Sequence, residues 1–230
     1  MTIRTSLLIF TSVLALLVMG LSLDRALHVA ARMQAANAAR EAAAISSRAF
    51  DATVTLAVER GAVNGALATG KPASDAQRSL VANKRREAEA ALEDVVRWVA
   101  SYSSVGPARE AFQSARAAAE NRRRQADAAL TSGEAGAELR QAWIPAMTGY
   151  IMAAEKLRAA VEAEIPLQVD GRIRLLINAQ NALWTMAEFA GRERAMLAAA
   201  INAGKPMPAA TVEAASAARG QMEGAFARVN

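Results

Sequence analysis

The hydrophobic pattern begins with an apolar run that contains no charged residue, SLLIFTSVLALLVMGLSL, between Ser6 and Leu23. As an α-helix this run is about 27 Å long, which is enough to cross a slightly thinned bilayer. A cleaved signal peptide is the alternative, but its apolar region is usually shorter, and charged residues follow directly where a small-residue cleavage site is expected. Because a short N-terminus ahead of a first apolar segment usually stays in the cytoplasm, we predict an N-terminal transmembrane anchor over residues 1–23 and place residues 24–230 outside.

Glycine and proline divide the rest of the chain into long segments with helical periodicity. Breaks between helices are expected near residues 70–74, 103–107, 131–136 and 204–210. Ser74 followed by Gln77 has the form of a capping box, so a helix is expected to start there. We expect one long segment over residues 137–203, bent at Pro145 and Pro166, because proline cannot donate a hydrogen bond inside a helix.

These segments predict an all-α fold, an elongated up-and-down antiparallel helical bundle that follows the N-terminal transmembrane helix. The third helix is expected to start near Ala108 and the last one near Thr211. The last helix reaches Asn230 without a cap, so we expect the sensor region to be cut short at its C-terminal end. The composition agrees with helices, because the chain has 59 alanines and only 4% aromatic residues, whereas sandwiches and barrels need β-branched and aromatic strands.

The composition also limits the chemistry. The chain has no cysteine and one histidine, His28, which lies beside the apolar run. The absence of cysteine excludes disulfides, thiolate zinc sites and cysteine nucleophiles, and the position of the single histidine argues against a Ser-His-Asp triad. We therefore expect no enzyme activity, metal or cofactor. The net charge of +5 is compatible with nucleic acid, but the basic clusters at 84–86 and 122–124 have glutamate and alanine neighbours and no interleaved aromatic residues. We interpret them as parts of a mixed-charge helical surface and expect no nucleic-acid partner.

An internal repeat relates two distant parts of the chain. Residues 59–72 read ERGAVNGALATGKP and residues 193–206 read ERAMLAAAINAGKP, at a constant offset of 134. The repeat aligns Arg60 with Arg194, and each arginine lies ten residues before a Gly-Lys-Pro helix stop. If the two helices are parallel, the two arginines lie at the same height of the bundle.

Both arginines interrupt a helical stripe of small or apolar residues. The first stripe is Ile45, Ala49, Ala52, Leu56, Arg60, Val63 and Leu67, and the second is Leu176, Gln180, Leu183, Ala187, Ala190, Arg194, Leu197 and Ile201. Spacings of three and four residues are typical of a buried helix face, so we expect both guanidinium groups to be buried. A buried guanidinium needs an anion, which is either a glutamate from another helix or a bound ligand. Two planar guanidinium groups facing one gap would suit a small planar oxyanion.

Two motifs carry a resemblance to a known family. The helix with Arg60 in the sequence Glu-Arg-Gly, and the later stretch with Arg192 and Arg194 in the sequence Gly-Arg-Glu-Arg-Ala, resemble the bacterial nitrate- and nitrite-sensing domain over about residues 45–230. The resemblance implies an all-helical periplasmic sensor, anchored in the inner membrane, that precedes a cytoplasmic output such as a methyl-accepting chemotaxis domain. It also implies that nitrate or nitrite binds through arginines of these motifs, which in this chain are Arg60, Arg194 and Arg192.

Two hypotheses for the function follow. The first is a sensor input domain without catalysis, which forms a parallel homodimer and relays ligand-induced helix movement to the membrane. The second is a membrane-anchored helical scaffold or protein-binding module, in which the arginines form structural pairs with glutamate and bind no small ligand. A saturable response to nitrate distinguishes the first hypothesis from the second.

Overall fold

The computed structural model describes residues 3–100, 102–164, 171–203 and 206–228. These residues form six α-helices: α1 (Ile3–Ala68), α2 (Asp75–Val99), α3 (Gly106–Ser132), α4 (Ala137–Ala163), α5 (Gly171–Ala203) and α6 (Ala209–Phe226). A short 3-10 turn, Ser103–Val105, precedes α3. No strand occurs in the described ranges, and the prediction of an all-α fold is confirmed.

The capping box predicted at the start of α2 is present. The Oγ of Ser74 accepts a hydrogen bond from the backbone N–H of Gln77 at 3.3 Å, and Gln77 Oε1 accepts one from the backbone N–H of Ser74 at 2.9 Å. Gly70, between α1 and α2, has a φ of 61°, a left-handed conformation that glycine adopts without steric cost. The predicted break near residues 70–74 is therefore confirmed.

The other predicted breaks also lie between helices, with small shifts. α3 begins at Gly106, slightly earlier than expected, because Pro107 fits the first turn of a helix, where no backbone donor is needed. Gly133, at the end of α3, has a φ of 81° and is followed by the predicted break before α4. The last break lies before Ala209, although its residues 204–205 are outside the part of the chain that the structure describes.

α1, α2, α3 and α4 form an up-and-down bundle. α1 packs against α2 and α4, and α3 packs against α4. Hydrogen bonds join Ser46 to Glu162 and Arg60 to Thr148, so α1 and α4 are antiparallel. The stripe predicted on α1 is confirmed as a buried face; its members are Ile45, Ala49, Ala52, Leu56, Arg60, Val63 and Leu67.

α5 runs in the opposite direction to α4, so the prediction of one bent segment over residues 137–203 is wrong. Hydrogen bonds between α5 and α1 join Trp184 to Thr53 and Glu188 to Arg60. The residue numbers therefore increase in the same direction along the two helices, which are parallel. The parallel arrangement of the helices that carry Arg60 and Arg194 is thus confirmed. α6 packs against α5, and the two helices form a hairpin beside the bundle.

Pro145 lies inside α4, which continues through it. A proline in a helix costs one backbone hydrogen bond, but Trp143 and Met147 on either side are fully buried and hold this part of α4 in the core. Pro166, the second expected bend, lies outside the described residues.

A network of buried charges joins α1 to α2 and α3. Arg123 and Glu59 are both fully buried and form two hydrogen bonds, of 2.9 and 2.5 Å. Arg85 donates a further hydrogen bond to Glu59 at 3.0 Å, and Arg123 donates one to Glu89 at 2.5 Å. Burial alone would lower the pKa of Arg123, but the hydrogen bonds and the negative charge of Glu59 outweigh it and raise the pKa above its ordinary value. These contacts fix the orientation of α1 next to Arg60.

The N-terminal part of α1 extends beyond the bundle. Among the described residues, buried positions in α1 begin at Ala39. An 18-residue window in the apolar part has a mean hydropathy of 1.7, and none of it is buried. By length and composition this part is able to cross a membrane, as predicted for residues 1–23, and a signal sequence has the same pattern.

Candidate functional site

α5 buries a different face from the one predicted. Leu176, Leu183 and Leu197 were expected to be buried but are 69%, 56% and 42% exposed. Arg194, on the same stripe, is exposed as well, and the side chain of Ile201 lies outside the described part of the chain. The prediction that this stripe is buried, with a buried Arg194 in it, is therefore wrong.

The face of α5 that packs against α1 carries Trp184. This residue is 7% exposed, and its indole Nε1–H donates a hydrogen bond to Thr53 Oγ1 at 3.0 Å. An indole buries more apolar area than a leucine and its N–H needs a partner when buried, so Trp184 determines which face of an alanine-rich helix points inward. The spacing of the leucines did not indicate this face.

Arg60 lies on the buried face of α1 and has a protein partner on α5. Its Nη1 and Nη2 donate hydrogen bonds to the two carboxylate oxygens of Glu188 at 2.8 and 3.1 Å. Nη1 also donates to Thr148 Oγ1 at 2.8 Å, and the backbone carbonyl of Arg60 accepts a hydrogen bond from Trp143 Nε1 at 2.9 Å. The alternative of an ion pair with a glutamate from another helix is thus present in the structure.

Glu188 also brings Arg192 to the site. Arg192 Nε donates a hydrogen bond to Glu188 Oε1 at 2.8 Å, and its guanidinium carbon lies 4.8 Å from the centre of the Phe189 ring. Glu188 was not among the residues expected from the sequence. The signal that could have found it is the spacing, because a glutamate four residues before an arginine forms a pair on one helix face.

One buried nitrogen of this arginine pair, Nη2 of Arg192, has no hydrogen-bond partner. Two buried side-chain polar atoms in the described part of the chain lack a hydrogen-bond partner, Asn181 Oδ1 and Arg192 Nη2. Of these two residues, Arg192 lines the cavity described next. A buried donor without a partner costs about 1–3 kcal/mol, so Arg192 Nη2 marks a position where an acceptor would be stabilising.

Arg60 and Arg192 line a large cavity between α1, α4, α5 and α6, with a volume of about 1170 Å³. The polar residues of its wall are Arg60, Asn64, Thr148, Arg192, Thr211 and Gln221. The rest of the wall is apolar and includes Ile144, Phe189, Met196, Met207, two alanine-rich helix faces and prolines. Such a cavity, mostly apolar with a few convergent polar groups, is the usual form of a small-molecule site.

The charges at the cavity are unbalanced. Arg60 and Arg192 bring two positive charges, and Glu188, which binds both, brings one negative charge. Among the described residues of the wall, no other side chain is charged. The cluster of Arg60, Arg192 and Glu188 therefore retains one positive charge, which a monovalent anion would neutralise.

Arg194 lies outside this cavity, and the sequence repeat is not reproduced in the contacts. Its neighbour Glu193 pairs with Arg219 of α6, whereas the aligned Glu59 is fully buried and pairs with Arg123. Because residues two positions apart on a helix point about 200° apart, Arg192 and Arg194 cannot face the same gap. The structure brings Arg60 and Arg192 together and leaves Arg194 exposed.

A known protein family matches most of the chain. Residues 51–229 match the family model described as nitrate and nitrite sensing. The matched region contains α1 from residue 51 onward, the helices α2 to α6, and every residue of the cavity wall named above. No curated protein and no solved structure matches the chain.

Proposed function

The chain belongs to the nitrate and nitrite sensing family, and on this premise we propose that it is the ligand-binding input domain of a transmembrane signal transducer. Its ligand is nitrate, nitrite or a similar small anion. The observation that carries the proposal is the buried Nη2 of Arg192, a donor without a partner at the wall of a cavity with excess positive charge. A bound oxyanion supplies the missing acceptor and neutralises the charge.

The ligand contacts in this proposal are Arg60 and Arg192. A planar oxyanion has several acceptor atoms in one plane, which suits the fork of donors of a guanidinium. Glu188 keeps both guanidinium groups in place from the protein side, so the anion does not need to displace it. Arg194 was expected to be a contact together with Arg60, and its exposed position outside the cavity supports a place on the surface instead.

The relay in this proposal runs along α1. This helix is continuous from Ile3 to Ala68, so Arg60 and the apolar segment belong to one rigid element. An anion bound between Arg60 and Arg192 would tie α1 to α5 and shift the population of their relative positions. We place the sensor region in the periplasm, the apolar segment in the inner membrane, and a cytoplasmic output such as chemotaxis signalling beyond it.

The homodimer in this proposal uses the exposed stripe of α5. Leu176, Leu183 and Leu197 are exposed on one face, and the intervals along the stripe alternate between three and four residues. This spacing is the heptad pattern of coiled coils, in which such a face packs against its counterpart in a second helix. The stripe that the sequence analysis expected inside the bundle is thus suited to contact a second copy of the chain.

A second candidate function has its own observation. Arg60 already has a bidentate partner in Glu188, which is what a scaffold or protein-binding module with structural Arg–Glu pairs requires. In that case the cluster binds no anion, and Arg192 Nη2 stays without a partner. The two functions therefore differ in one measurable property, the saturable binding of a small anion.

The experiment is a calorimetric titration of the full chain, reconstituted in lipid nanodiscs, with sodium nitrate and sodium nitrite, and with sodium sulfate for comparison. The sensor predicts saturable heat at one monovalent anion per chain, and a weaker response to the doubly charged sulfate. The scaffold predicts no saturable heat with any of the three. That second result would overturn the proposed function.

A further inference from the structure

The cavity is far larger than a small oxyanion needs. Its volume is about 1170 Å³, whereas a water molecule takes roughly 30 Å³ of the liquid, and nitrate has only four non-hydrogen atoms. Cavities of this size in proteins enclose molecules as large as drugs. An anion at the two arginines would leave most of the cavity without an occupant.

The cavity has a charged end and an apolar end. Ala195, Met196 and Ala200 line it at successive positions after Arg192 on α5, and Ala200 lies about 12 Å from Arg192 along the helix axis. On α4, which runs the other way, Ile144 also lies on the side of Thr148 that is away from the charged end. On α4 and α5 the wall therefore changes from polar to apolar side chains along one direction, whereas on α1 Asn64 follows Arg60 toward the same end.

α6 forms the opposite wall, and alanines line it between Thr211 and Gln221. Its pair Arg219–Glu193 shows that α6 is antiparallel to α5, because α6 begins soon after α5 ends. Ala214 and Thr211 therefore lie toward the apolar end, and Gln221 lies toward the arginines. The small side chain of Ala214 leaves the apolar end open.

The arginine pair already binds a carboxylate, that of Glu188, and retains one positive charge. The carboxylate of a ligand would accept a hydrogen bond from Arg192 Nη2, which is buried and has no hydrogen-bond partner in the protein. The apolar wall beyond it would exclude water around a hydrocarbon group attached to that carboxylate. Charge and shape thus select one class of ligand, an anion with one charged group and an apolar body.

We propose that the cavity binds an organic monocarboxylate, with its carboxylate at Arg60 and Arg192 and its hydrocarbon part along α5 toward Met207. This inference rests on the anion site of the proposed function and extends its ligand class. The inorganic anion and the organic acid share the two arginines and compete for them. The organic acid alone reaches the apolar end.

The test is a calorimetric titration of the full chain in lipid nanodiscs with acetate, butyrate and hexanoate. We expect the affinity to rise about fourfold for each added methylene group, because each one is removed from water in the cavity. Empty nanodiscs give the heat of partition into lipid, which is subtracted. We also expect hexanoate to weaken the apparent affinity for nitrate in competition. Equal affinities for acetate and hexanoate, or no binding of either, would overturn the inference.

Two variants on α6 locate the hydrocarbon part. Ala214→Phe fills the apolar end, and we expect it to lower the affinity for hexanoate about tenfold or more while the affinity for nitrate stays within about twofold. Ser216→Phe is the matched control, because Ser216 is exposed on the same helix and outside the cavity wall, and it leaves both affinities unchanged. If Ala214→Phe does not fold, Ala214→Leu gives a smaller loss in the same direction.

The outcomes separate this inference from the proposed function. Nitrate binding without hexanoate binding contradicts the organic ligand and leaves the sensor of small anions in place. Hexanoate binding without nitrate binding supports the organic ligand and contradicts the proposed function. Binding of neither contradicts both, and equal losses of hexanoate affinity in Ala214→Phe and Ser216→Phe contradict the position of the hydrocarbon part.

Discussion

Glu188 binds Arg60 through both of its carboxylate oxygens, at 2.8 and 3.1 Å. One of these oxygens also accepts a hydrogen bond from Arg192, so a single carboxylate holds two guanidinium groups at the cavity wall. Like charges repel, and a carboxylate next to an anion site weakens the attraction for the anion. Glu188 therefore positions the two arginines and at the same time limits how strongly they bind an anion.

The first prediction concerns Glu188→Gln. Removal of the negative charge should raise the affinity for nitrate about tenfold, because the anion then meets two uncompensated guanidinium groups. The chain without ligand should lose about 3–5 kcal/mol of unfolding free energy, because the buried pair is broken. Calorimetry with nitrate and urea unfolding measure the two effects.

The matched control for that prediction is Glu193→Gln. Glu193 lies on the same helix, pairs with the exposed Arg219, and is not part of the cavity wall. Its replacement should leave the affinity for nitrate unchanged and lower the free energy of unfolding by less than about 1 kcal/mol. An unchanged nitrate affinity in Glu188→Gln would show that no anion binds near this carboxylate.

The second prediction concerns the buried network behind the site. Glu59→Gln leaves the fully buried Arg123 without its main counter-charge and should lower the unfolding free energy by about 3–5 kcal/mol. Glu93→Gln is the control, because Glu93 is 61% exposed and its pair with Arg116 should contribute no more than about 1 kcal/mol. Urea unfolding measures the loss of free energy in both variants. Equal losses in the two would show that Glu59 and Arg123 are not a structural pair.

The buried face of α1 could be predicted from the sequence because bulky residues define it. Leu56 and Val63 lie on the predicted stripe on either side of Arg60, and all three are buried. Large apolar side chains at intervals of three and four leave one choice of inward face. The burial of Arg60 followed from its place in that stripe.

The buried face of α5 could not be predicted in the same way. Alanines lie on every side of this helix, and Leu183 and Trp184 are neighbours that point about 100° apart. The pattern of leucines indicated one face, whereas the indole of Trp184 finds a hydrogen-bond partner in Thr53 on α1. That contact depends on which helices lie side by side, and so does the pair between Glu188 and Arg60.

A third prediction follows from the raised pKa of Tyr150. Burial and the negative charge of Glu89, to which the Tyr150 hydroxyl donates at 3.0 Å, raise this pKa above its ordinary value of 10.0. Above pH 10 the unfolded chain loses the phenolic proton and the folded chain keeps it, so stability falls as the pH rises. The contribution is fully present below pH 10.

Urea unfolding between pH 9 and 11 measures this effect. The wild-type free energy of unfolding should fall by up to about 1.4 kcal/mol per pH unit once the pH exceeds 10, beyond any fall seen in Tyr150→Phe. The variant provides the comparison because it keeps the ring and lacks the titrating group. Identical slopes in the two proteins would contradict the raised pKa.

The fourth prediction concerns the homodimer. The natural chain has no cysteine, so Leu183→Cys introduces a single thiol on the exposed stripe of α5. In a parallel dimer this thiol meets its counterpart, and mild oxidation should give a covalent dimer on a non-reducing gel. Leu80→Cys is the control on α2, where Leu80 is 43% exposed and no contact is expected. Equal cross-linking of both variants would contradict a dimer through α5.

In the proposed site Arg192, with Arg60, binds the anion and Arg194 does not. A thermal-shift series with nitrate distinguishes the two arginines of α5. Arg192→Ala and Arg194→Ala remove the same side chain two positions apart on one helix, so each controls for the other. Nitrate should raise the melting temperature of the wild type and of Arg194→Ala to the same extent, by binding to the folded state, and should leave that of Arg192→Ala unchanged. Equal stabilisation by nitrate in all three proteins would contradict the site.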